Sequence, residues 1–209
     1  MCLTFPPRTA FLSVAGRPLP VGVLALQGDF REHIAVVRGL GAEAVPVRRP
    51  GELDGIRGLI IPGGESSVMD KLARTFGLFE PLKTAIAQGL PVYGTCAGLI
   101  MLADRLIDAI DGQRSLGGFD VSVRRNAFGS QLDSFETDID IPVLGEAPMH
   151  AVFIRAPVVE SVGEAVTVLG SLGDGRIIAI EQGALLGTSF HPEMTGDTRF
   201  HEYFLSKIA

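Results

Sequence analysis

The sequence predicts an α/β fold, a three-layer α/β/α sandwich around a mostly parallel central sheet. Three observations carry that expectation. Short β-branched and leucine-rich runs at 21–27, 58–64 and 90–94 read as strands buried on both faces. Segments with helical periodicity separate them, joined by short connections, which is the alternation that builds a parallel sheet. No internal repeat, low-complexity tract or linker divides the chain.

Taken in order, ordered sequence is expected from Pro20, with VGVLALQ (21–27) as the first strand. In DFREHIAVVRGLG, Ile34, Val37 and Leu40 share a helical face and Gly41 marks the stop. AEAVPVRRP (42–50) reads as a short strand, and GLIIPGG (58–64) as a buried one. Ser67-x-x-Asp70 has capping-box spacing for a helix that starts there. A helix over 78–88 then leads through Gly89 into the strand LPVYG. The second half is strand-rich, and Gly173-Asp174-Gly175 signals a hairpin. Phe200, Phe204 and Ile208, four apart, predict a closing helix.

A chain of 209 residues suits one domain, and 46% hydrophobic with 20% charged residues is the balance of a compact protein. A formal net charge of −6 argues against nucleic-acid binding. Cys2 and Cys96 are the only cysteines and lie far apart, so neither a disulfide framework nor zinc spacing is present, and no metal is expected. A reducing, cytoplasmic setting fits. The longest uncharged run, Gly89 to Ala103, is broken by Pro91 and falls short of the ~20 apolar residues of a membrane span. Residues 1–19 lack a basic cluster ahead of an apolar core, and are read as a disordered extension or start-site artefact rather than a signal peptide, leaving 20–209 as the folded domain.

Chemistry concentrates in three stretches. A strand entering Gly94-x-Cys96-x-Gly98 and then a helix has the shape of a nucleophile elbow, with helix amides near the sulfur to favour thiolate. Alone, the pentapeptide suits an inert buried cysteine equally well. In SFHPEM (189–194), His191 is a candidate base and Glu193 a group to orient it, although an isolated His-Pro-Glu is more often an exposed turn. In IPGGESS (61–67), Gly63 and Gly64 can expose N–H groups that, with that of Ala97, make an oxyanion hole. All three follow candidate strands, and parallel strands gather their C-terminal ends at one edge.

Gly94-x-Cys96-x-Gly98 with His191-x-Glu193 resembles the triad glutaminases, the class I glutamine amidotransferase family. LALQGDFREH (24–33), PGGESS (62–67), RRNAFGSQLDSF (124–135), FIRAP (153–157) and SFHPE (189–193) narrow the resemblance to glutaminase subunits of two-component pyridoxal 5′-phosphate synthases, from about Val21 to the C-terminus. The resemblance implies a flavodoxin-like class I amidotransferase fold and a Cys96, His191, Glu193 triad. It also implies an L-glutamine site of Gly64, Glu65, Ser66, Arg125, Ile154 and Arg155, and no cofactor. Arginine suits an α-carboxylate, although solvated charge at a strand end is an equal reading of Arg125 and Arg155. Ser130 stands where these proteins usually carry arginine and receives no role. The implied partner is a (β/α)₈-barrel synthase subunit in a hetero-oligomeric complex, which would receive the ammonia and complete the oxyanion hole on docking. Residues 24–33 are the candidate docking surface, with His33 an ordinary helix-face residue. Another hydrolase of the same fold and a non-catalytic binding protein are the rival readings.

Overall fold

In the computed structural model, which describes residues 18–125 and 134–208, strands and helices alternate through the first half. β1 (Pro20–Leu24) leads to α1 (Phe30–Gly39), β2 (Glu43–Val47) and β3 (Gly58–Ile61). Next come α2 (Ser66–Thr75), α3 (Phe79–Ala87), β4 (Val92–Thr95), α4 (Ala97–Leu102) and β5 (Ala103–Ile107). The second half is built of β6 (Phe119–Arg124), β7 (Phe135–Ile139), β8 (Met149–Phe153) and β9 (Val158–Val162). It continues through β10 (Thr167–Ser171), β11 (Ile177–Gln182) and β12 (Leu185–Thr188), and closes with α5 (Arg199–Ile208).

The central sheet runs β2-β1-β3-β4-β12-β11-β9-β6-β5, with β10 also on β11, while β7 and β8 form a separate antiparallel pair. From β2 to β12 every pairing is parallel, and β6–β5 is parallel too. The pairings of β11 with β12, β9 and β10, and of β9 with β6, are antiparallel. The sheet is thus mixed and mostly parallel. β3, β4 and β12 are buried at every residue, as central strands covered on both faces must be. One core joins α1 and α5 to the sheet through Val37, Leu40, Phe200 and Phe204, and the other joins α2, α3 and α4 through Met69, Leu82 and Leu99. That arrangement is the expected three-layer sandwich.

Several local expectations shift. Leu19 belongs to the core, its carbonyl accepting from Glu43 N at 2.9 Å, and residues 1–17 of the expected extension lie outside the described residues. Ser67 does not cap α2. Glu65 does, its carboxylate accepting from Ser67 N at 3.2 Å, while the buried Asp70 holds Arg74 and the N–H of Arg114. On α1 the buried stripe is His33, Val37 and Leu40, with Ile34 only half-buried. Gly173-Asp174-Gly175 does turn β10 into β11, and Phe200, Phe204 and Ile208 all face the core. No helix among the described residues is long and apolar enough to cross a membrane.

Candidate active site

The C-terminal ends of β1, β3, β4 and β12 bring four loops to one edge. Cys96 sits between β4 and α4 at φ 48° and ψ −103°, a backbone region that costs a non-glycine residue about 1–3 kcal/mol. The turn holds because Cys96 N donates to Thr188 O at 2.8 Å and because the flanking glycines leave no side chain in the way. A Cβ on Gly94 would lie 2.6 Å from the carbonyl carbon of Gly98, and one on Gly98 would lie 2.0 Å from Ile61 O. These contacts explain the Gly-x-Cys-x-Gly spacing as close packing of β4, α4 and β3. α4 has six residues, so its effect on the sulfur is that of its first N–H groups rather than of a long dipole.

His191, at φ −110° and ψ 82°, lies outside the helical region that the following proline disfavours, and Pro192–Met194 then forms a tight 3-10 turn. That turn folds Glu193 back under the imidazole, Nδ1 to Oε1 at 2.8 Å, with His191 3% and Glu193 7% exposed. Asp29, from the loop after β1, approaches the same nitrogen at 3.4 Å. Burial works against a charged ring, but the bonds to Asp29, Cys96 and Glu193 outweigh it and raise the His191 pKa to about 12. Burial raises the Glu193 carboxyl against the pull of His191, whereas the His191 contact lowers that of Asp29. Donor atoms of Asp29, His191 and Glu193 lie within 4.8 Å of one another. A metal there would have to displace the proton that His191 shares with the two carboxylates.

A cavity of about 220 Å³ opens beside this cluster, lined by Cys96, His191, Gly64, Glu65, Ser66, Arg125, Ile154 and Arg155, with Asp29, Ile100 and Met194. It holds the volume of roughly seven waters, the scale of a free amino acid. Gly63 and Ala97 adjoin lining residues in the chain without lining the cavity themselves. A Cβ on Gly63 would lie 2.3 Å from His191 Cε1, and Ala97 is fully buried. Arg125 is not a solvated strand-end charge. Its guanidinium donates to Glu65 Oε1 at 2.7 Å and to Gln113 Oε1 at 2.6 Å, and Gln113 Nε2 donates to Ser66 Oγ at 3.0 Å. Arg155 is exposed at the rim with φ 44°. Ser130 lies outside the described residues.

Residues 23–209 match the SNO glutamine amidotransferase family. The chain belongs to that family. It is 70% identical over 195 residues, 93% of this chain and 98% of the relative, to the pyridoxal 5′-phosphate synthase subunit PdxT of Leifsonia xyli subsp. xyli. The protein of the same name from Clavibacter michiganensis subsp. michiganensis is 68% identical over 188 residues, covering 90% of each chain. A solved structure described as a glutamine amidotransferase superposes with TM-score 0.84 at 48% identity, covering 90% of this chain and 98% of that one.

In this SNO-family amidotransferase the site contains groups that sequence reasoning passed over. The Gln27 amide grips the loop after β3 from both sides, Nε2 donating to Glu65 O at 3.2 Å and Oε1 accepting from Glu65 N at 3.3 Å. Gln27 and Asp29 belong to LALQGDFREH, a motif of the resemblance and the candidate docking surface, to which the sequence assigns no role in the site. Gln113 carried no signal at all, because it joins Arg125 to Ser66 from a loop without a motif. His33 is not an ordinary helix-face residue: it is fully buried and hydrogen-bonds Thr95 Oγ1 at 3.2 Å, one residue before Cys96.

Proposed function

We propose that this chain hydrolyses the side-chain amide of L-glutamine to L-glutamate and ammonia, as the glutaminase subunit of a pyridoxal 5′-phosphate synthase. The observation that carries the reading is one cavity holding a strained Cys96, a His191 tied to Glu193 at 2.8 Å and a buried Arg125. The Cys96 thiolate attacks the carboxamide carbon, and the oxyanion is met by N–H groups of Ala97 and the Gly63-Gly64 loop. Protonated His191 gives its proton to the departing nitrogen, so ammonia leaves and a γ-glutamyl thioester remains. A water then loses a proton to His191 as it attacks the thioester, and glutamate departs with the thiolate restored. Glu193 holds the ring through Nδ1 while the opposite nitrogen works. Ser66, Glu65, Arg125, Ile154 and Arg155 receive the α-amino and α-carboxylate ends of glutamine. This chemistry calls on no metal or organic cofactor.

The ammonia passes, in this reading, to a (β/α)₈-barrel synthase subunit with which the chain assembles in the cytoplasm. The relatives' name, synthase subunit, supports such a partner. Gln27 supports a docking role for residues 24–33, because it connects that segment to the oxyanion loop directly. The test is glutamate release by the chain with and without the barrel subunit. Cys96→Ala should abolish it, and substantial hydrolysis by that variant would refute the triad.

A further inference from the structure

Behind Glu193, away from the cavity, lies a buried chain of titratable groups that the proposed reaction does not use. Glu193 Oε2 is fully buried and lies 3.4 Å from His33 Nε2. His33 Nε2 also faces Thr95 Oγ1 at 3.2 Å, and His33 Nδ1 lies 2.9 Å from Nε2 of His201, on α5. Both histidines are 0% exposed. The Tyr93 ring stands edge-on to His201 at 5.8 Å between centroids.

Two nitrogens at 2.9 Å share one hydrogen, and the surroundings decide which carries it. If His33 Nδ1 donated, His33 Nε2 would turn a lone pair toward the Glu193 carboxylate, and His201 Nδ1–H would be a buried donor with no acceptor. If His201 Nε2 donates instead, His33 Nε2–H serves Thr95 Oγ1 with Glu193 Oε2, which accepts no hydrogen bond from another described residue, 3.4 Å away, and the orphan on His201 is only the lone pair on Nδ1. An orphaned buried N–H is the rarer and costlier defect. The second arrangement therefore holds, with both rings neutral. Burial keeps them so: it is the main cause that lowers His33 well below 6.5, with His201 and His191 adding to it, and lowers His201 to about 4 against Asp197.

We propose that His33 is a positioning residue for Glu193, and that His201 sets the tautomer in which His33 carries its proton on Nε2. One N–H then ties the turn that holds Glu193 to the hydroxyl of Thr95, so the base and the nucleophile are referenced to the same buried ring. This rests on the Cys96, His191, Glu193 reading above.

The test is steady-state glutaminase kinetics of the chain in complex with its synthase partner, across pH. His33→Leu should lower kcat about 10- to 100-fold, the scale of small misplacements in a catalytic cluster, with KM for glutamine nearly unchanged and the pH profile displaced. His33→Gln, which retains a side-chain N–H, should recover part of the loss. In a Glu193→Ala background, adding His33→Leu should cost less than about twofold, because the effect runs through Glu193. Equal losses in both backgrounds, or full kcat in a folded His33→Leu protein, would overturn the proposal. Should His33→Leu not fold, His201→Phe decides: it must lower kcat with Glu193 present and not without it. Activity in Cys96→Ala would instead sink the triad reading, a result separable from all of these.

Discussion

Acidification should destabilise this protein through the histidines that its fold traps neutral. Unfolded His201 takes up a proton as pH falls below 6.5, whereas folded His201 refuses one until about 4. The unfolded state therefore gains protons that the native state does not, and stability is lost as pH falls through that window. The interval corresponds to about 3 kcal/mol by pH 4 at ~1.4 kcal/mol per pKa unit, a large part of a total of about 5–15 kcal/mol. His33 acts with the same sign. The raised Glu193 carboxyl works oppositely, because the folded state takes up that proton first. His191, raised, contributes stability present below 6.5 and lost as pH climbs toward about 12. Comparison with His201→Phe cancels Glu193 and His191 to first order and reads His201 together with its coupling to His33. Urea unfolding followed by circular dichroism at pH 7, 6, 5 and 4 should show the variant gaining on the parent by about 3 kcal/mol across the series. A difference that stays flat with pH would refute the reasoning.

Gly98→Ala places a methyl group 2.0 Å from Ile61 O and should cost about 3 kcal/mol, the upper part of the overpacking range, measured by urea unfolding. Arg125→Lys cannot hold Glu65 and Gln113 together, so KM for glutamine should rise about tenfold, while the rate of Cys96 alkylation by iodoacetamide stays unchanged. Asp29→Asn removes the negative charge from a partner that raises His191, so the alkaline limb of the pH–rate profile should move to lower pH. Phe204→Ala empties a fully buried position against Tyr93 and should cost about 3–5 kcal/mol, read as a lower urea midpoint.

The legible parts of this protein were those set by short-range rules. β3, β4 and β12 announced themselves because a strand covered on both faces must be apolar throughout. The elbow at Cys96 and the turn at His191 were visible because glycine and proline mark positions where the backbone does something special. Glu65 was harder to read. Its role as the cap of α2 and as the partner of Arg125 depends on a side-chain rotamer and on a loop 60 residues away. Asp70 satisfied a capping pattern and instead anchors Arg74 and the backbone at Arg114.

By itself, the sequence determined the layered α/β class, the order of its elements and which loops carry reactive side chains, since periodicity and turn residues act over a few positions. Only the tertiary structure decided that His33 from α1 and His201 from α5 meet behind Glu193, or that Gln27 grips the loop after β3. Those pairings join residues far apart in the chain, the first between the two helices of one layer and the second between loops at neighbouring strand ends. Their energies come from burial and from hydrogen bonds that water can no longer supply, and neither exists until the sheet has brought its strand ends together.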